Sequence, residues 1–314
     1  MDKRKRILLV HYSQTGQLSR IARTLAAPLE EDTDLELVEL ELEPERAFPF
    51  PWGVFQFMDA FPECVWRDPP PLREARIEAL SQEPFDLVIL CYQVWFLSPS
   101  LPVTAFVQSS AGRRLLADTP VVTVIGCRNM WTQAHAAMEE MLAEAGARLT
   151  DNVVLTDPGG FETFYTTPRW LLTGRQGRAG IPESEIQGSV RFGHALRAAL
   201  KADRERQGGP LLAGLGAVRV DPALALSEGI GIRSFRLWGR LIRLAGPMGS
   251  RRRRPLLALY MVFLVVMILT IVPVVAILKR LARPLLKPRL NRLRARFEAP
   301  SGSGQERLAE YGHD

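Results

Sequence analysis

Cysteine and histidine are scarce in this chain of 314 residues, which has three of the first and four of the second. Cys64, Cys91 and Cys127 stand far apart, without the close spacing of a metal site or the even number of a disulfide framework. A zinc-bound or disulfide-stapled fold is therefore excluded, no metal is expected, and the usage fits a reducing compartment. The N-terminus has no apolar stretch. Met1-Asp-Lys-Arg-Lys-Arg6 runs straight into a strand-like segment, so no secretory signal is read and the front of the chain is expected to face the cytoplasm. Acid is thin in the last third. The net charge of +6 divides into −7 for residues 1–200 and +13 for residues 201–314, where 21 Lys+Arg meet 8 Asp+Glu. An acidic front and a basic rear predict a soluble domain joined to a part that meets anionic lipid or nucleic acid. No base-stacking module accompanies the arginines, so nucleic acid is the less favoured partner.

The front is organised around Ile7–Val10, a short apolar run that reads as a buried strand. It is followed by the polar turn Ser13-Gln14-Thr15-Gly16-Gln17. Leu18, Ile21, Ala22, Leu25 and Leu29 then share one helical face. Strand, hydroxyl-and-glycine turn and helix make a phosphate cradle, because a helix N-terminus offers free N–H groups and partial positive charge. The same residues also suit an ordinary helix cap. Leu35–Leu42 alternates apolar and acidic residues and reads as a half-exposed edge strand. Residues 43–72 form an insertion rich in proline and aromatics, among them Phe48, Trp52, Phe55, Phe57, Phe61 and Trp66. Proline predicts irregular backbone there, serving as a satellite core or as a lid over a site.

Phe85–Leu90 and Val121–Ile125 read as buried parallel strands, and Val153–Leu155 as a short last one. Their loops are Tyr92–Pro102, with Trp95 and Phe96, and Gly126–Trp131, with Cys127, Arg128 and Asn129. A second insertion, 157–182, carries Phe161, Phe164, Tyr165, Trp170 and Leu171, and a helix is expected over 183–201. Alternating strands and helices predict an α/β fold, a doubly wound five-stranded parallel sheet in the order 2-1-3-4-5. In such a sheet the three polar loops meet beyond the strand C-termini at one site.

These three loops resemble the flavodoxin-like family. Ser13, Thr15 and Gly16 match the phosphate loop of that family, and Leu18 stands where its last hydroxyl falls. The resemblance implies FMN as cofactor, with Ser13, Gln14, Thr15, Gly16, Gln17 and Leu18 around the phosphate. Trp95 or Phe96 would stack on the flavin ring, and the backbone of Gly126, Cys127, Arg128 and Asn129 would contact its edge; equally, the two aromatics can be plain core. The strings His11-Tyr-Ser-Gln-Thr-Gly-Gln17, Tyr92-Gln-Val-Trp-Phe-Leu-Ser-Pro99 and Ile125-Gly-Cys-Arg-Asn-Met-Trp131 are similar to the bacterial family labelled dialkylresorcinol condensing enzyme. That likeness spans residues 5–200 and implies work on alkylated aromatic lipids beside a separate ketosynthase. Condensation needs an activated cysteine, and no such arrangement is readable around Cys91 or Cys127. Loss of two electrons and two protons from a cyclic dione suits a flavin better. Arg128 is the candidate to stabilise an enolate, or else a structural ion-pair partner, and Tyr92 and His135 are candidates for proton transfer.

Behind the front domain, placed at 1–205, residues 206–231 read as a linker and 232–254 as a basic amphipathic segment. In the latter, Arg233, Arg236, Arg240 and Arg243 share a stripe, and such a helix can lie among lipid headgroups. Leu256–Leu278 is 23 residues without a charge, enough to cross a bilayer, so a transmembrane helix is expected over 255–279. Pro273 would kink or break it. Both flanks are basic, so orientation is not chosen by charge; a single span is favoured over a re-entrant segment that keeps both flanks inside. Residues 280–314 read as a basic, partly disordered tail. The expectation is an FMN-dependent oxidoreductase, with NAD(P)H as a second electron source, on the cytoplasmic membrane. It would act on a lipophilic substrate. The alternative is a cofactor-free scaffold that recruits a ketosynthase to the membrane.

Overall fold

The structure, a computed structural model, describes residues 4–159 and 162–312, without the side chains of residues 163, 164, 272, 273, 276–281 and 283. Phe161 and the side chain of Phe164 thus lie outside the described residues. The strands are β1 (Lys5–His11), β2 (Leu35–Glu41), β3 (Leu87–Trp95), β4 (Ser98–Pro99), β5 (Pro120–Cys127) and β6 (Arg148–Thr156). Five of them pair in parallel in the order β2-β1-β3-β5-β6, which is 2-1-3-4-5 when the parallel strands alone are counted. Ile7–Val10 and Leu87–Leu90 are buried on both sides, as continuous apolar runs in a covered parallel sheet must be.

The helices of the front domain are α1 (Gln17–Glu30), α2 (Val54–Asp59), α3 (Phe61–Trp66), α4 (Ala75–Leu80), α5 (Leu101–Gln108), α6 (Ser110–Leu116), α7 (Thr132–Glu144), α8 (Thr163–Thr173), α9 (Glu183–Gly188), α10 (Val190–Lys201) and α11 (Arg204–Gln207). Packing of α1 on α10, and of α5 on α6 and α7, wraps the sheet on both faces. The first insertion is more regular than its prolines suggest. Pro62 stands in the first turn of α3, where its missing N–H costs nothing. Phe61 and Val65 then bury an apolar face.

The rear departs from the expected linker and disordered tail. Leu211, Leu212, Leu215 and Val218 are buried along the sheet edge, where the Val154 N–H donates to the Ala217 carbonyl at 2.8 Å. Helix α12 (Pro222–Leu244) begins within the expected linker, with Asp221 accepting from the N–H groups of Ala223 and Leu224. Helix α13 (Arg254–Leu281) passes position 273 without a break. Helix α14 (Arg283–Glu298) then brings the tail back to the domain, with Phe297 buried in the core and Ser301 buried beside Asp151. Low hydrophobicity argued for disorder there; a few apolar and hydroxyl side chains suffice to anchor it.

Candidate functional site

Strand β1 delivers the first loop to the sheet's C-terminal rim. Gly16 caps α1 in the left-handed region, at φ +81°, and has no side chain of its own to offer the helix. A Cβ at Gly16 would point into open space, so the residue is needed for its backbone angle and not for room. Ser13 Oγ accepts from the Leu18 N–H at 3.1 Å, and Thr15 Oγ accepts from the Gln17 N–H at 3.4 Å. The loop is thus pre-shaped by its own hydroxyls. Gln14 donates to the Pro49 carbonyl, and Gln17 bonds both backbone groups of Ile181. Both insertions are thereby tied to the cradle.

The second loop is a hairpin. The Trp95 and Ser98 positions pair antiparallel, and the two residues between them, Phe96 and Leu97, have φ of +50° and +61°. A two-residue turn with both centres left-handed normally takes Asn-Gly, because larger side chains are strained there. Packing holds this one: Phe96 lies against Phe57 and Phe61 at 4.9 and 5.4 Å between ring centres. Trp95 meets Tyr12, Phe48 and Trp52 edge-on.

All three loops meet at one cavity of about 180 Å³. The first contributes Gln14, Thr15, Gln17 and Leu18; the second Gln93, Val94, Trp95 and Phe96; the third Gly126, Cys127 and Arg128. Phe57 of α2 and Thr167, Trp170, Leu171, Gly180 and Ile181 of the second insertion complete the wall, with Asp157 at the end of β6. Asp157 accepts from the N–H groups of Gly159 and Gly180, both at 2.9 Å, and so folds that insertion over the rim. A Cβ on Gly126 would stand 2.9 Å from Leu18 Cδ1, so the first and third loops are in close contact through glycine.

Sheet order and loop convergence decide the architecture. The fold is flavodoxin-like. No protein-family model matches the chain, and no curated protein sequence does. Among solved structures, it is similar to a flavoprotein in complex with FMN from Lactobacillus acidophilus NCFM, at 16% identity, covering 48% of this chain and 93% of that one, with a TM-score of 0.36. A second is oxidised flavodoxin 1 from Bacillus cereus, at 15% identity, 60% and 95% coverage and a TM-score of 0.33. A third is a flavone reductase, at 13% identity, 82% and 97% coverage and a TM-score of 0.37.

The expected site residues divide. Ser13 and Gly16 shape the cradle without lining the cavity, and Asn129 does not line it either. Arg128 does, and burial lowers its pKa against the opposing pull of Asp157. Tyr92 and His135 do not reach the cavity. Tyr92 is fully buried with its hydroxyl unpartnered, and burial pushes its pKa far up. His135 sits on α7, 5.8 Å from the Trp131 ring, and burial, with Arg296 nearby, lowers it to about 4. Neither can meet a substrate in that cavity from these places. Burial also raises the thiols of Cys91 and Cys127, which keeps them protonated and poor nucleophiles.

Glu228 of α12 escaped the sequence reading. It is buried, and accepts from the Gln133 N–H at 3.1 Å, so it caps the helix that follows the third loop. Burial raises its carboxyl to about 7. No local pattern marks it, because its partner lies 95 residues away.

A phosphate of FMN suits the N-terminus of α1, where an open left-handed glycine and two hydroxyls come together, the hydroxyls already accepting from the first two N–H groups of the helix. At the ring end the cavity is smaller than the roughly 300–1,000 Å³ usual for cofactor sites. Trp170, Leu171, Ile181 and Leu18 are among the bulky side chains that line it.

Proposed function

We propose that the chain is a membrane-tethered, FMN-dependent oxidoreductase acting on a lipophilic substrate. The observation that carries this reading is the convergence of three strand-end loops on one cavity beside the N-terminus of α1. Ser13, Thr15 and Gly16 would hold the phosphate, and Trp95, Phe96 and the Gly126–Arg128 turn would border the ring. Bound there, FMN supplies two-electron redox chemistry. The chain's own part is to position the substrate and exclude water. Arg128 is the cationic group at the cavity and would stabilise negative charge on a substrate oxygen. The aromatic wall of Trp95, Phe96 and Phe57 favours an apolar substrate. Loss of two electrons and two protons by an alkylated cyclic dione, giving an aromatic ring, is the step that flavin chemistry suits within the alkylated aromatic lipid role that the resemblance implies, with NAD(P)H as the other redox partner if the flow runs in reverse.

Leu18 packed toward Gly126 and the small cavity favour a second reading: a flavodoxin-like scaffold without cofactor that brings a ketosynthase to the membrane. The visible spectrum of the detergent-purified full chain, before and after addition of FMN, separates the two. Flavin bands that co-elute with the protein are the expected result. Leu18→Thr returns a hydroxyl and opens space, and is expected to tighten FMN binding severalfold. A colourless wild-type chain, with neither form taking up added FMN, supports the scaffold instead.

A further inference from the structure

We propose that α13 lies within a single leaflet of an anionic bilayer and does not cross it, so that the C-terminus stays on the same side as the sheet domain. This rests on the membrane reading above and departs from a single span.

Both ends of the apolar helix are fastened to the front domain. At the first end, Arg253 is 1% exposed and forms a two-pronged ion pair with Glu63 at 2.6 and 3.0 Å, with Asp59 at 3.2 Å. Leu257 and Tyr260 follow, both buried, and Tyr260 stacks on Phe61 with ring centres 4.5 Å apart. At the second end, α14 returns to the core through Leu293 and Phe297. Ser301 Oγ then donates to Asp151 at 2.8 Å and accepts from the Asn152 N–H at 2.8 Å. Beyond it, the Gly216 N–H donates to the Gly304 carbonyl at 2.6 Å, and the Arg307 N–H to the Gly214 carbonyl at 2.8 Å. The tail is stitched along the sheet edge.

Length then decides. A span would put Leu281 on the far side of about 30 Å of hydrocarbon. The 16 residues of α14 rise only about 24 Å, too short to return from there to Phe297. Its six Lys and Arg would also lie in the hydrocarbon. A helix lying in the plane avoids both problems. Leu259, Val262, Val265, Val266, Leu269, Ile271 and Val274 are exposed along α13 and spread over more than one face, so the helix would sink among the acyl chains rather than rest on the surface. No Asp or Glu occurs from Gly229 to Phe297, a stretch with 16 Lys and Arg. Exposed Arg236 and Arg240 on α12, and Lys287, Arg289 and Arg292 on α14, suit the phosphates of an anionic leaflet around an acyl-buried helix.

The full chain, tagged before Met1 and after Asp314, is expressed in bacteria, and its membranes are prepared as right-side-out and as inverted vesicles. Protease is expected to remove both tags from inverted vesicles and neither from right-side-out ones. Tags on opposite faces would overturn the single-leaflet placement while leaving the membrane reading intact. A chain found in the soluble fraction as an oligomer, its apolar helix covered by a second copy, would overturn both.

Discussion

Glu228 and His135 pull stability in opposite directions as pH changes. Glu228 titrates near 7 in the fold against 4.5 as an ordinary carboxyl, so the stability that its protonated form preserves is lost as pH rises from 4.5 through 7. His135 titrates near 4 against 6.5, so stability is lost as pH falls from 6.5 through 4. Each amounts to about 3 kcal/mol at most, and between pH 4.5 and 6.5 they largely offset. Glu228→Gln keeps an acceptor for the Gln133 N–H and removes one arm. Denaturant midpoints of this variant are expected to drop steeply below pH 6.5, where wild type stays flatter. Equal slopes in both would show that Glu228 does not hold a proton in the fold. The sequence disclosed His135 as a titratable group on a helix but not its burial beside the Trp131 ring.

At the scale of elements, the first insertion changes meaning. Its aromatics suggested a satellite core or a lid. Phe57 does line the cavity, but Met58, Phe61 and Val65 form the platform that receives α12 and α13. The loop read at Tyr92–Pro102 is a hairpin whose Phe96 touches both cavity and platform. No Asn-Gly marks it, since tertiary packing rather than turn chemistry holds its left-handed residues. Arg253 roots the platform. Of the four arginines at 251–254 it is the one buried, a distinction that composition cannot make. Arg253→Met would leave Asp59 and Glu63 without their cation, at a cost of about 3–5 kcal/mol. Urea denaturation of the detergent-solubilised chain checks this. Lys at the same place is expected to recover part of the loss, because it restores charge without the two-pronged geometry.

For the molecule as a whole, the boundary at residue 205 does not mark a free-standing unit. Asp151, buried in β6, accepts from the N–H groups of Leu211 and Leu212 at 2.7 and 3.0 Å and from Ser301. A chain ending at Lys201 removes all three donors and bares the edge of β6. It is expected to aggregate or to unfold several kcal/mol more easily than the full chain, with Asp151→Asn recovering part of that stability. A truncated chain as stable as the full one in a denaturant titration would contradict the stitched edge. The same edge underlies the proposed placement of the hydrophobic helix in one leaflet.

Local pattern alone determined the strand–helix alternation, the three rim loops and the single uncharged stretch, because each depends on residues near one another in the chain. Residue type marked Arg128 as a charge near the site, while it left Tyr92 and His135 equally eligible. Only the tertiary structure decided which of these reach the cavity, how much room the cavity leaves, and that the tail returns to the sheet. Those outcomes rest on contacts between positions 95 to 190 residues apart, such as Glu228 with Gln133, Arg253 with Glu63 and Ser301 with Asp151. No short-range periodicity encodes such pairings, since burial of a polar group is settled by the partner that meets it.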